Sequence, residues 1–184
     1  MSEPVTDRLT RVYRGDGFRF AYPAGAHVEH DVDQRTLESA VLTDHEEPLL
    51  IAVAVEESPL ATRALQVPGL LGALVSKYRD KGGYEELWFG AVPVDGSDSA
   101  EAAELRYGAG DPRHALIVAA RIAGPEIVTV QVHFPPSTAE ENRPLALGIV
   151  ESLTVDPDAI GPVSTGDRWD VIHPDAAFPP GDDP

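Results

Sequence analysis

Apolar residues recur along this chain with two periods, and the switch from one to the other marks the elements. Phe18, Phe20 and Tyr22 alternate with Arg19 and Ala21 before Pro23-Ala24-Gly25 ends the run, which is the pattern of a short strand. Residues 36–43 alternate too, with Leu37, Ser39 and Val41 on one face. Residues 49–55 are apolar on both faces, as expected of a central strand covered above and below. Four more strands are expected at about 85–94, 100–107, 114–123 and 126–134. Their links, Asp95-Gly96-Ser97-Asp98, Gly108-Ala109-Gly110-Asp111-Pro112 and Gly124-Pro125, are rich in turn formers and too short for a parallel crossover. The four strands therefore form an antiparallel meander.

Two segments carry the helical period instead. Pro68 suits an opening position, Leu70, Leu71, Leu74, Val75 and Tyr78 follow at helical spacing, and Gly82-Gly83 supplies a left-handed stop. Later, Ser137-Thr138-Ala139-Glu140 has the form of a capping box ahead of Leu145, Ile149, Val150 and Leu153. Pro144 interrupts that second helix, since proline removes a backbone donor. The sum is an α+β domain, an antiparallel sheet of six or seven strands with helices packed on it.

Composition changes this picture at the C-terminus. The chain has 184 residues, 31 Asp and Glu against 14 Lys and Arg, and no cysteine. Residues 156–184 hold seven of the acids, one arginine and six prolines, so the expected division is a single domain over 1–155 and an acidic, proline-rich, extended or partly disordered tail over 156–184. A net charge of −17 argues against nucleic acid and against an anionic membrane surface. The absence of cysteine excludes disulfides, thiolate metal sites and cysteine nucleophiles. The acidic start and the lack of a long apolar run give the expectation of a cytoplasmic protein, and the scarcity of lysine beside abundant alanine suggests a bacterial source.

Three stretches together resemble the PsbP-like fold, which is shared by an extrinsic subunit of photosystem II, a eukaryotic Ran-binding import factor, and bacterial accessory proteins and lipoproteins. Gly17-Phe18-Arg19-Phe20-Ala21-Tyr22-Pro23-Ala24-Gly25 looks like the opening strand of that fold. Val128-Thr129-Val130-Gln131-Val132-His133-Phe134-Pro135 looks like its last long strand, and Ile149-Val150-Glu151-Ser152-Leu153-Thr154-Val155 like the closing helix with its terminal Ser-Leu pair. The likeness spans about residues 10–156. It implies a binding or accessory role and brings no shared catalytic residues with it.

Candidate chemistry is sparse. His27, His30 and His45, with Glu29, Asp31, Asp33, Asp44, Glu46 and Glu47 around them, could converge from two hydrophilic loops at one end of a hairpin and hold a metal ion. The spacing matches no strong metal motif, and a polar loop in an acidic protein is the plainer reading. His133 reads as a half-buried strand residue, and alternation puts Glu104 and Arg106 on a solvated face. No serine elbow, S-x-x-K or phosphate loop is present. Trp88 and Phe89 should point to opposite faces, one into the core and one exposed as an anchor for a partner. Trp169, Ile172 and Phe178 are large apolar groups within the acidic tail, which either strap it to its own domain or form a linear motif for another protein. The reading is a non-enzymatic accessory or adaptor domain that binds a protein partner, in secretion or complex assembly, without a cofactor. The alternative is a small-molecule or metal-binding protein, such as a hydrolase, using His27, His30 and His45.

Overall fold

The computed structural model describes residues 8–30, 38–44, 49–57, 63–156 and 158. In chain order these form β1 (Arg11–Gly15), β2 (Phe18–Tyr22), β3 (His27–His30), β4 (Glu38–Asp44), β5 (Leu49–Glu57) and α1 (Arg63–Arg79). There follow β6 (Glu85–Ala91), β7 (Ala100–Tyr107), β8 (Arg113–Ala123), β9 (Glu126–Phe134), α2 (Ala139–Glu151) and β10 (Thr154–Val155). A seven-stranded antiparallel sheet runs in the order β3-β4-β5-β9-β8-β7-β6, so the expected meander is present as β6 to β9. A smaller sheet, β1-β2-β10, carries the hairpin that opens the domain.

Alternation in β7, β8 and β9 divides the large sheet into two apolar faces. On one, Val67, Leu71 and Val75 of α1 pack on Ala103, Leu105, Ala115, Ile117, Ala119 and Ile127. The other carries Leu116, Val118, Val128, Val130, Val132 and Phe134. It is covered by Leu145, Ala146 and Ile149 of α2 and by the hairpin aromatics Tyr13, Phe18, Phe20 and Tyr22. Tyr13 stacks on Phe20 with ring centroids 5.2 Å apart. Pairing aligns one row across this second face, from Val28 through Leu42, Ile51, Val132 and Leu116 to Glu104 and Trp88. Glu104 is the only charged member of the row.

Several local expectations need correcting. The hairpin strand β1 was not anticipated, because its one fully buried residue, Tyr13, gives no alternation to read. The segment around His27 is not a loop: His27–His30 is the edge strand β3, paired with β4. The first helix begins at Arg63, which leaves Pro68 inside it, and the strand after it stops at Ala91 rather than Val94. The glycine stop does form, with φ of 73° at Gly82 and 59° at Gly83.

The capping box does not form. A 3-10 turn, Pro136–Thr138, precedes α2, and Thr138 makes no hydrogen bond to the helix amides. Instead the Thr138 hydroxyl donates to the Pro135 carbonyl and accepts from Asn142 Nδ2, each at 3.0 Å. The Ser-Leu pair closing α2 has a clear physical role. Ser152 Oγ donates to the Ile149 carbonyl at 2.7 Å and accepts from the Ala21 amide at 2.8 Å, which ties the helix end to β2. Leu153 is buried in the core.

Candidate functional site

A concavity of about 710 Å³ lies on the α2 side of the sheet at its β6 end. One wall is Leu87 and Trp88 of β6 with Val92, Pro93 and Val94, the floor comes from β7 and β8, and Ala139, Arg143, Leu147 and Val150 of α2 form the other wall. It exists because α2 reaches β8, β9 and the hairpin, whereas β6 continues the sheet beyond the helix.

At the polar end of the floor is an ion-paired cluster. Arg143 holds Glu104 through two parallel bonds, Nε to Oε1 at 2.7 Å and a terminal nitrogen to Oε2 at 2.9 Å. His114 Nε2 lies 2.8 Å from the same Oε1, and its ring stacks on Phe134. The hydrogen bonds from Arg143 hold the Glu104 carboxyl below the usual range against the opposing effect of burial. Burial pushes His114 down despite Glu104, so the imidazole is neutral near pH 7 and its Nε2–H donates to the carboxylate. His114 Nδ1 is buried and has no hydrogen-bond partner among the described residues. The expectation that Glu104 lies on a solvated face is therefore wrong, since Glu104 is 7% exposed. Arg106 does face solvent, 3.4 Å from Glu85.

Sequence reasoning missed this cluster as a unit. The groups come from β7, β8 and α2, and Arg143 is 39 residues from Glu104. The one available signal was pairing: Glu104 sits opposite Leu116 and next to Trp88, on a face whose other members are apolar. Chemically the cluster fastens α2 to the sheet and sets polarity at one end of an apolar groove. Among the described residues no serine, threonine, tyrosine or lysine lines the groove.

A second polar group lies on the α1 face. Tyr107 and His133 Nδ1 are 3.1 Å apart, Tyr78 donates to Gln131 Oε1 at 2.6 Å, and Lys81 lies over both tyrosine rings. Burial lowers His133 to about 4 and raises Tyr78 to about 12. His133 is thus buried rather than half-buried, at 9% exposure.

The remaining sequence candidates separate. Trp88 and Phe89 do point to opposite faces, by their pairing with Glu104 and Ala103, yet neither is core: they are 44% and 38% exposed. The Trp88 ring lies back over Gly90, where a Cβ would come within 3.2 Å of it. His27 is exposed on β3. The side chain of His30, together with His45, Trp169, Ile172 and Phe178, lies outside the described residues. Among the described residues no group of three or more His, Asp or Glu is arranged to hold a metal ion, and no helix is long and apolar enough to cross a membrane.

The architecture defines a class. A seven-stranded antiparallel sheet with one helix on each face and an N-terminal hairpin closed by the last described strand is the PsbP-like fold, and this chain has it. Solved structures share that fold over most of their length. Cyanobacterial PsbP from Synechocystis sp. PCC 6803 superposes with a TM-score of 0.62 at 19% identity, over 79% of this chain and 93% of its own. LpqN of Mycobacterium tuberculosis, involved in cell envelope biogenesis, gives 0.55 at 15% identity over 76% and 83%. The Saccharomyces cerevisiae Ran-binding protein Mog1p gives 0.54 at 12% identity over 79% and 94%. No family model and no curated protein matches the chain.

Proposed function

We propose that this protein is a non-catalytic accessory domain that binds a protein partner, and that the groove between β6 and α2 is its docking surface. One observation carries the reading: Leu87 and Trp88 are consecutive and exposed on β6, a strand at the edge of the described sheet, and both line an apolar groove, while Phe89 is exposed on the opposite face. Large apolar groups grouped in this way mark contact surfaces, and an edge strand can accept an extended segment through its free backbone groups. Mog1p, a protein of the same fold, is a Ran-binding protein, which is in keeping with a binding role.

The test is a comparison of baits in the native lysate. The unaltered chain should retain a specific partner that Trp88→Ala loses while its melting temperature falls by no more than about 4 °C. Failure of the unaltered protein to retain any specific partner, or equal retention by both baits, counts against the groove as the docking surface.

A further inference from the structure

The groove lies close to the place where the chain leaves the described structure. The Val155 amide donates to the Asp95 carbonyl at 2.8 Å, and Thr154 bridges Asp95 in parallel. The contact is so close that a Cβ on Gly96, at φ 80°, would lie 1.7 Å from the Val155 oxygen, so only glycine fits there. Val92, Pro93 and Val94, immediately before this contact, wall the groove. From Asp95 back to Trp88 the chain covers at most about 25 Å, while the stretch from Asp156, the residue after the one bonded to Asp95, to Trp169 can span about 43 Å. Trp169 can therefore reach Trp88 with slack.

Chemistry selects the same seat. Trp169, Val171, Ile172 and Phe178 need an apolar surface, but they travel with Asp167, Asp170 and Asp175. Residues 1–155 hold 24 acids and 13 bases, so most of the domain repels such a segment. The groove does not, because Arg106 and Arg143 balance Glu104 and Glu151 among its lining residues. Glu104 is already engaged by Arg143, and among the described residues Arg106 makes a long, exposed contact to Glu85. The other arginine pair near the exit, Arg14 and Arg19, stands face to face across the hairpin and offers charge without an exposed apolar seat.

We propose that the chain's own segment 167–178 occupies this groove, seating Trp169 and the neighbouring Val171 and Ile172 against Leu87, Trp88 and Leu147. The segment then covers the surface assigned above to a partner, which must displace it. This inference rests on the groove being a docking surface, but its test is separate, because it reads the position of the tail and needs no partner.

The full chain suits the experiment, since it has no cysteine and only two tryptophans, Trp88 and Trp169. In the double variant Leu87→Cys, Val171→Cys, mild oxidation should give an intramolecular disulfide, seen as a faster-migrating monomer. It should form many times faster than in Lys77→Cys, Val171→Cys, whose cysteine sits on α1 at the other face. Equal rates for the two pairs overturn the proposal, and so does a covalent dimer, which would assign the groove to the tail of a second copy. In Trp88→Phe the remaining tryptophan, Trp169, should emit at short wavelength and resist quenching by acrylamide. Emission and quenching typical of a solvated tryptophan would overturn the proposal independently of the cysteines. A partner lost from the lysate in Trp88→Ala while the crosslink still forms would support both readings, whereas a crosslink with no partner at all would leave the groove occupied by the tail alone.

Discussion

On the α1 side of the sheet the helix alone packs on a mixed surface, Ala103, Ala115 and Ala119 with Leu105, Ile117 and Ile127. On the α2 side the strands present Leu116, Val118, Val130 and Val132, and the cover is shared between a helix and an aromatic hairpin. The two faces belong to the same strands, but α1 packs on β7 and β8, near the β6 edge, while α2 sits toward β8 and β9. The first face thus closes over its polar groups, Tyr78, Tyr107 and His133, and the second leaves an open groove with Glu104 at its floor. Where a helix rests along the sheet, rather than how apolar the strands are, decides which face can receive another molecule.

The strongest way to break this comparison is to remove one buried leucine from each helix. Leu71 in α1 and Leu145 in α2 are both fully buried, so each change to alanine should cost about 3 kcal/mol or more in urea denaturation. A much smaller loss for Leu145 would mean that α2 is a loosely held cover and that the groove is a product of its mobility.

Acid sharpens the comparison next. His133 has a folded pKa of about 4, below its ordinary value, so its stabilising contribution is complete above about pH 6.5 and is lost as the pH falls toward 4. Replacing His133 by Gln should remove from the acid limb of the stability curve a loss on the order of 3 kcal/mol between pH 7 and pH 4. His114 and Glu104, also lowered, act in the same direction on the other face. An acid limb unchanged in His133→Gln would place the pH sensitivity on the α2 face.

Glu104→Ala should cost about 2 kcal/mol at neutral pH, because it strips His114 of its acceptor and leaves Arg143 to solvent. The change is smaller than for a fully enclosed pair because Arg143 is half exposed. The smallest effect belongs to Trp88→Ala, about 1 kcal/mol or less, since nearly half of the ring is already in water. A large loss at Trp88 would recast the groove rim as core.

The meander, the two apolar faces and the α+β class were readable because they depend on local period and on turns such as Asp95-Gly96 and Gly124-Pro125. Glu104 shows where that reasoning stops. Its alternation with Arg106 was read correctly, but two residues of one strand face can differ in burial when a helix from elsewhere in the chain covers only one of them. The capping box failed for a related reason. Ser137-x-x-Glu140 has the right spacing, yet the 3-10 turn after Pro135 gives the polar role to Thr138 and Asn142 instead. The Trp88 and Phe89 alternation was legible and their exposure was not, because it depends on β6 ending the sheet.

That edge position also bears on how concentrated the protein can become. β6 offers free backbone groups along its outer side and three exposed apolar side chains, which is what a strand from another molecule needs in order to extend the sheet. Two features oppose this: Glu85 and Glu86 at the start of the strand, and the bulge between Glu86 and Trp88 that breaks its regular pairing register. Mutual repulsion between molecules of net charge −17 adds a long-range barrier that salt and acid both weaken. Self-association through β6 is therefore opposed at that strand by charge and by the bulge, and Leu87→Lys is the substitution expected to strengthen that opposition across pH and salt.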